Sequence, residues 1–181
     1  SPTRGVWAGG NPATDRIDFV TIATTGNATD FGNLTVARLF CSGTSSATRG
    51  LSVGGYSSPT VVNVIDFTTI ASAGDATDFG DVTSEDTRNA MGVSNNTRGV
   101  IAGGQTPAPS NGTNAIDFLT IATTGNTADF GDLTDGRRRG AGLSNSIRGV
   151  FAGGYDPSAK NVMDFITIAS TGNAQDFGDY S

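Results

Sequence analysis

Two phrases return along this 181-residue chain at a nearly fixed spacing, and that recurrence limits the possible folds more than any other feature. RGVWAGG (residues 4–10) comes back as RGLSVGG from Arg49, RGVIAGG from Arg98 and RGVFAGG from Arg148. IDFVTIATTGNATDFG (17–32) comes back as IDFTTIASAGDATDFG, IDFLTIATTGNTADFG and MDFITIASTGNAQDFG. A third phrase, VARLFCSGTSSAT (36–48), returns as DTRNAMGVSNNT and GRRRGAGLSNSI, so it is present one time fewer than the others. A chain built this way is an array of one supersecondary unit, each copy burying its apolar face against the next.

The spacings show where the unit is rigid. The Asp of IDF and the Asp of DFG are 12 residues apart in every copy: 18 to 30, 66 to 78, 117 to 129, 164 to 176. The DFG Asp and the next RG arginine are 19, 20 and 19 apart. From the second glycine of Gly-Gly to the IDF Asp the distance is 8, 11, 13 and 10. Length variation is therefore concentrated in one loop per repeat.

Local patterns predict strands throughout. The segments are short, rich in Val, Ile, Phe and Thr, and bounded by Gly, Asn, Pro and Ser. Each full repeat offers four: an Arg-to-Ser segment such as 88–94, then RGVxAGG, IDFxTIA and a short strand centred on DFGDLT. The third is apolar on both sides, with Ile17 and Phe19 on one face and Val20 and Ile22 on the other, which predicts a strand sandwiched between two layers. The paired glycines fit a close backbone approach and a sharp exit. TTGNAT, between the third and fourth strands, reads as a turn.

DFG is also the metal-binding triplet of protein kinases, but there it stands once, with a catalytic-loop histidine and a phosphate loop. Here it occurs four times in a chain with no histidine, and eight of the ten phenylalanines fall at two repeat positions. That is the periodicity of packing, with Phe31, Phe79, Phe130 and Phe177 expected as one buried aromatic per repeat. The preceding Asp is expected to tie turn amides.

The missing histidine removes Ser-His-Asp and Cys-His nucleophilic sites and histidine acid-base catalysis. The single Cys41 permits no internal disulfide or cysteine zinc cluster. The acidic residues lack the spacing of a calcium loop. No catalytic residue, metal or cofactor is expected. A formal charge of −6 argues against nucleic acid and membrane surfaces. The basic run Arg137-Arg138-Arg139 reads as a solvated loop or strand end. Asp18, Asp66, Asp117 and Asp164 read as structural. Arg4, Arg49, Arg98 and Arg148 are expected to pair with an aspartate of the unit or the backbone of the next.

With those residues in place, the chain resembles the kelch repeat, whose period is about 50 residues. The Arg-led first strand, the Gly-Gly ending the second, the Asn-x-apolar third and the aromatic of the fourth correspond to Arg88, Gly103-Gly104, Asn114-Ala115-Ile116 and Phe130. Phe stands where kelch units usually carry Trp. The usual third-strand Tyr is absent, although Phe19, Phe67, Phe118 and Phe165 lie close by. The resemblance implies an all-β, kelch-like β-propeller of four repeats of about 49 residues spanning 1–181, with blades at about 1–35, 36–83, 84–134 and 135–181. The innermost strand of the first blade is missing, or supplied by another segment or chain. Propellers of this kind that act as galactose oxidases need histidine around copper, and sialidase-type propellers need a Tyr-Glu pair. The only glutamate here is Glu85, so no enzyme is implied.

The wording of RGVFAGG followed by IDFITIASTGNAQDFGD also resembles repeat arrays in virion or tail-fibre proteins of marine cyanobacterial phages. That implies a virion or extracellular structural protein, and a Ser in place of Met at position 1 points to a processed or excised segment. Partners are expected to be a glycan receptor or a protein, with a homo-oligomer as a route to a larger ring. A free-standing lectin-like propeller is the alternative. Binding residues are expected on the variable loops: Asn11, Tyr56, Gln105, Asn111, Tyr155 and Asp156, stiffened by Pro12, Pro59, Pro107, Pro109 and Pro157.

Overall fold

The computed structural model describes residues 3–84, 88–106 and 111–181. Glu85, Pro107 and Pro109 lie outside the described residues. Regular structure among those described is all strand, arranged as one antiparallel sheet per repeat. In the first repeat β1 (Arg4–Ala8), β2 (Thr14–Thr21) and β3 (Thr29–Arg38) lie in chain order. The second places β4 (Ser42–Ser45), β5 (Arg49–Val53), β8 (Val64–Thr69) and β9 (Thr77–Asp81) side by side. A small hairpin, β6 (Tyr56–Ser57) with β7 (Thr60–Val61), occupies its variable loop. The third sheet runs β10 (Met91–Ser94), β11 (Arg98–Ala102), β12 (Ala115–Thr120), β13 (Ala128–Asp132). The fourth runs β14 (Ala141–Ser144), β15 (Arg148–Ala152), β16 (Val162–Thr167), β17 (Gln175–Asp179). Among the described residues the first sheet has no counterpart of β4, β10 and β14.

Those three inner strands are shorter than the Arg-to-Ser segments. Phe40, Asn89 and Arg139 take φ of 61°, 59° and 61°, which turns the chain just before each strand begins. The residue before each of them, Leu39, Arg88 and Arg138, makes an isolated bridge to Tyr56, Gln105 and Tyr155.

The apolar cores lie between consecutive sheets. Leu51, Val53 and Phe79 of the second repeat meet Ile101, Leu119 and Ile121 of the third. Val93, Phe130 and Leu133 of the third meet Phe151, Ile166 and Ile168 of the fourth. The first junction has the smallest cluster, around Ile17, Phe31 and Leu34. Its poverty is written in the second repeat, which holds Ser52 and Thr68 where the third has Ile101 and Leu119.

The DFG triplet is now explained. In each repeat the third and fourth strands pair Asp with Asp (Asp66 with Asp78) and the preceding Ile or Met with Gly (Ile65 with Gly80, Met163 with Gly178), so Phe79 is the unpaired residue of a bulge. The bulge turns that phenylalanine into the core, edge-to-face with Phe67 at 6.0 Å. Burial of such a ring is worth about 1.5–3 kcal/mol. The glycine follows at φ +143°, and a Cβ there would lie 2.5 Å from the Gly125 carbonyl oxygen of the next repeat. TTGNAT is thus more than a turn. Gly74, Gly125 and Gly172 each donate an N–H to Phe31, Phe79 and Phe130 of the preceding repeat, all at 2.7 Å.

Two expectations need correction. Phe177 is not buried; it is 50% exposed, because no turn glycine packs over the last sheet. The basic run is not solvated as a whole. Arg137 is fully buried, and Arg138 stacks on Tyr155 with its guanidinium carbon 5.4 Å from the ring centre.

Candidate functional site

Most residues capable of chemistry are taken up in joining the sheets. Each RG arginine lies over the phenylalanine of IDF, at 4.5 Å for Arg4, Arg49 and Arg148 and 4.6 Å for Arg98. Three of them donate onward to a carbonyl of the next repeat: Arg4 to Ile70, Arg49 to Ile121 and Arg98 to Ile168. Pairing with the next unit's backbone was one of the two roles expected of them.

The IDF aspartates sit deeper. Asp66 receives the Arg38 guanidinium at 3.0 Å, and Asp164 receives Arg137 at 2.8 Å, with all four side chains fully buried. Each arginine also donates to a second-strand carbonyl, of Ser52 or Phe151. A threonine of the preceding repeat completes each site: Thr35 donates its N–H and hydroxyl to Asp66, and Thr134 to Asp164. Asp117 is buried too, but accepts from the Ser84 hydroxyl, and burial raises its pKa against that hydrogen bond. The sequence carries Thr87, outside the described residues, where its neighbours carry Arg38 and Arg137. Asp18 is partly exposed and pairs with Arg16 at 2.8 Å.

Of the residues expected to bind, Asn11, Tyr56, Gln105 and Tyr155 share one register position, directly after Gly-Gly. Arg88 lies over the Tyr56 ring of the preceding repeat at 4.9 Å, whereas Arg138 stacks on Tyr155 of its own repeat. Gln105 is buried, its amide oxygen accepting from Asn89 at 3.2 Å, so it serves the wall of the loop. Asn11 and Asn111 are exposed, and the Asn111 carbonyl accepts from the Thr106 N–H. Asp156 is half-buried, its N–H held by the Ser158 carbonyl.

Two clefts lie elsewhere. One of about 490 Å³ runs beside β1, lined by Gly5, Trp7, Ser42, Gly43, Gly50 and Val93 among others. Cys41 also lines it, and burial raises its thiol pKa, which keeps it protonated. The other, about 340 Å³, is a polar crown of Ser46, Asn95, Asn96, Asn145 and Ser146 at the turns leaving the inner strands. Those turns are at the opposite sheet end from the variable loops. Sequence reasoning passed over this crown, although the Ser-Asn that recurs after β10 and β14, with Ser-Ser after β4, was a usable signal. Asn95 and Asn145 cap their own turns through Oδ1, leaving Asn96 and Ser146 outward.

No protein-family model matches the chain, and no curated protein matches it in sequence.

Proposed function

We propose that the four sheets are blades of a kelch-like β-propeller, and that the chain is a non-enzymatic structural and binding module of a phage virion or tail fibre. The observation carrying this reading is the use made of the repeated polar residues. Arginine, aspartate and threonine at fixed repeat positions join one sheet to the next, so sequence freedom is left to the loops after Gly-Gly. There Tyr155, Asp156 and Asn111 form a variable surface on a rigid frame, suited to a receptor glycan or a protein partner. The polar crown favours a second reading, a lectin-like propeller that takes sugar hydroxyls at Asn96 and Ser146.

A glycan array probed with the labelled chain tests both. Binding lost in Tyr155→Ala/Asp156→Ala but kept in Asn96→Ala/Ser146→Ala supports the loop surface. The reverse pattern supports the crown, and an array with no bound glycan removes both glycan readings.

A further inference from the structure

The three junctions between repeats use the same contacts in the same register. The turn glycine N–H bonds the carbonyl of the DFG phenylalanine, as Gly172 does with Phe130 at 2.7 Å. Two residues on, the Ala174 N–H bonds the Asp132 carbonyl at 2.8 Å. The turn side chain between them accepts from the same residue's N–H: Asp75 from Asn33, Asn126 from Asp81, Asn173 from Asp132. Thr44 and Val93 of the inner strands lie against Gly99 and Gly149 of the next repeat. The RG arginine reaches the carbonyl of Ile70, Ile121 or Ile168, and those isoleucines are 4%, 1% and 0% exposed.

Both ends of the array carry these parts without partners. On the last repeat Leu143 is 70% exposed and Phe177 50% exposed, and a Cβ at Gly178 would meet nothing within 4 Å. On the first repeat the aligned isoleucine, Ile22, is 60% exposed and Trp7 is 59% exposed. Each half matches the other. Leu143 aligns with Val93 and would seat on Gly5, once the exposed Trp7 ring that now lies over that glycine swings aside. Arg148 would reach the Ile22 carbonyl. Gly26 and Ala28 would donate to Phe177 and Asp179, and Asn27 would accept from the Asp179 N–H.

We propose that the fourth repeat of one copy docks on the first repeat of a second copy, through the junction chemistry used three times within the chain. The occupant is a second copy because its first repeat carries, at the aligned positions, the groups that meet these residues at the three internal junctions. Such a contact is heterologous: it joins two different faces, and it closes into a ring or extends into a filament according to the rotation per copy. This goes beyond the proposed binding role and does not depend on any ligand.

The test is a mixing experiment followed by sedimentation and native mass. Leu143→Asp blocks the outgoing face and Ile22→Asp the incoming one; both side chains are already exposed, so the fold within each copy is untouched. The unaltered chain is expected to associate as concentration rises. Each variant alone is expected to sediment as a monomer, with association at least tenfold weaker. Mixed together, the two variants retain one intact face each and are expected to form a one-to-one heterodimer. A chain that stays monomeric at every concentration overturns the proposal, as does a mixture that remains monomeric, or variants that self-associate unchanged. Circular dichroism on each variant confirms that it is folded before it is scored.

Discussion

The second and fourth repeats bury an Arg–Asp pair, Arg38 with Asp66 and Arg137 with Asp164, where the third buries Asp117 under the Ser84 hydroxyl. The strand position, bulge and surrounding sheet are the same. The lead to the next strand differs in sequence: it is one residue longer in the third repeat and carries no arginine at the position of Arg38 and Arg137. Without its arginine the threonine arm also moves: Thr83 bonds Thr127 of the next repeat, while Thr35 and Thr134 bond the aspartates themselves. The fold thus requires a satisfied acceptor at this position and not a particular cation. An ion pair and a hydroxyl both meet that demand, but they leave different charges to be held away from water.

The largest expected effect follows from removing one half of a pair. Asp66→Asn keeps the shape of the side chain but leaves the Arg38 charge buried without a counter-ion, which costs about 3–5 kcal/mol. Urea denaturation would register it as a lower midpoint. Replacing both partners, as Arg38→Met with Asp66→Leu, is expected to recover most of that loss, since no buried charge remains. A single variant as stable as the parent would show that Arg38 finds another acceptor, and the distinction between repeats would collapse.

The two kinds of site were unequally legible in the sequence. The period of Val, Ile and Phe predicted the strands, because it depends on residues within one repeat. The aspartates were recognised as structural for the same reason. Arg137 was misjudged because three consecutive arginines look alike in a sequence. Only the turn at Arg139 decides which side chain points inward to Asp164 and which stacks on Tyr155. Phe177 was misjudged because its burial depends on a neighbouring turn, not on its own repeat. Gln105 was counted as a binding residue, and the bridge to Arg88 that draws it inward joins residues 17 positions apart across two strands. Contacts between repeats leave no local pattern, so the DFG glycine's function as a joint emerges only in three dimensions, and the RG arginine stayed open between an aspartate and the next unit's backbone until its carbonyl partners were seen.

An intermediate effect is expected at Ser84. Ser84→Ala removes the hydroxyl facing Asp117 and leaves a buried carboxylate short of a donor, a loss of about 1–3 kcal/mol. Thr83 carries the nearest alternative hydroxyl. A variant within error of the parent would mean that Thr83 has turned back toward the aspartate, as Thr35 and Thr134 do in the other repeats; Ser84→Ala/Thr83→Ala would then show the full cost.

The smallest effect is expected from Asp117→Asn, and it separates the two solutions most cleanly. Asparagine keeps an oxygen that can accept from Ser84 and carries no charge, so near neutral pH the variant is expected within about 1 kcal/mol of the parent. Asp66→Asn, the same chemical change one repeat earlier, is expected to be several times more costly. The pH dependence carries the reason. Burial raises the Asp117 pKa, so just above the ordinary carboxylate range the folded chain holds a proton that the unfolded chain has released. The contribution of Asp117 to stability is therefore greatest at acid pH and declines as pH rises through the raised value. Asp117→Asn has no such proton, so its stability relative to the parent should improve from the acid side of that window to neutrality. Paired urea titrations on both sides of the window would measure this, the remaining carboxylates cancelling because both chains carry them. A difference that stays flat with pH would mean that burial does not set the folded Asp117 carboxyl apart from the unfolded one, and this account of the third repeat would fail.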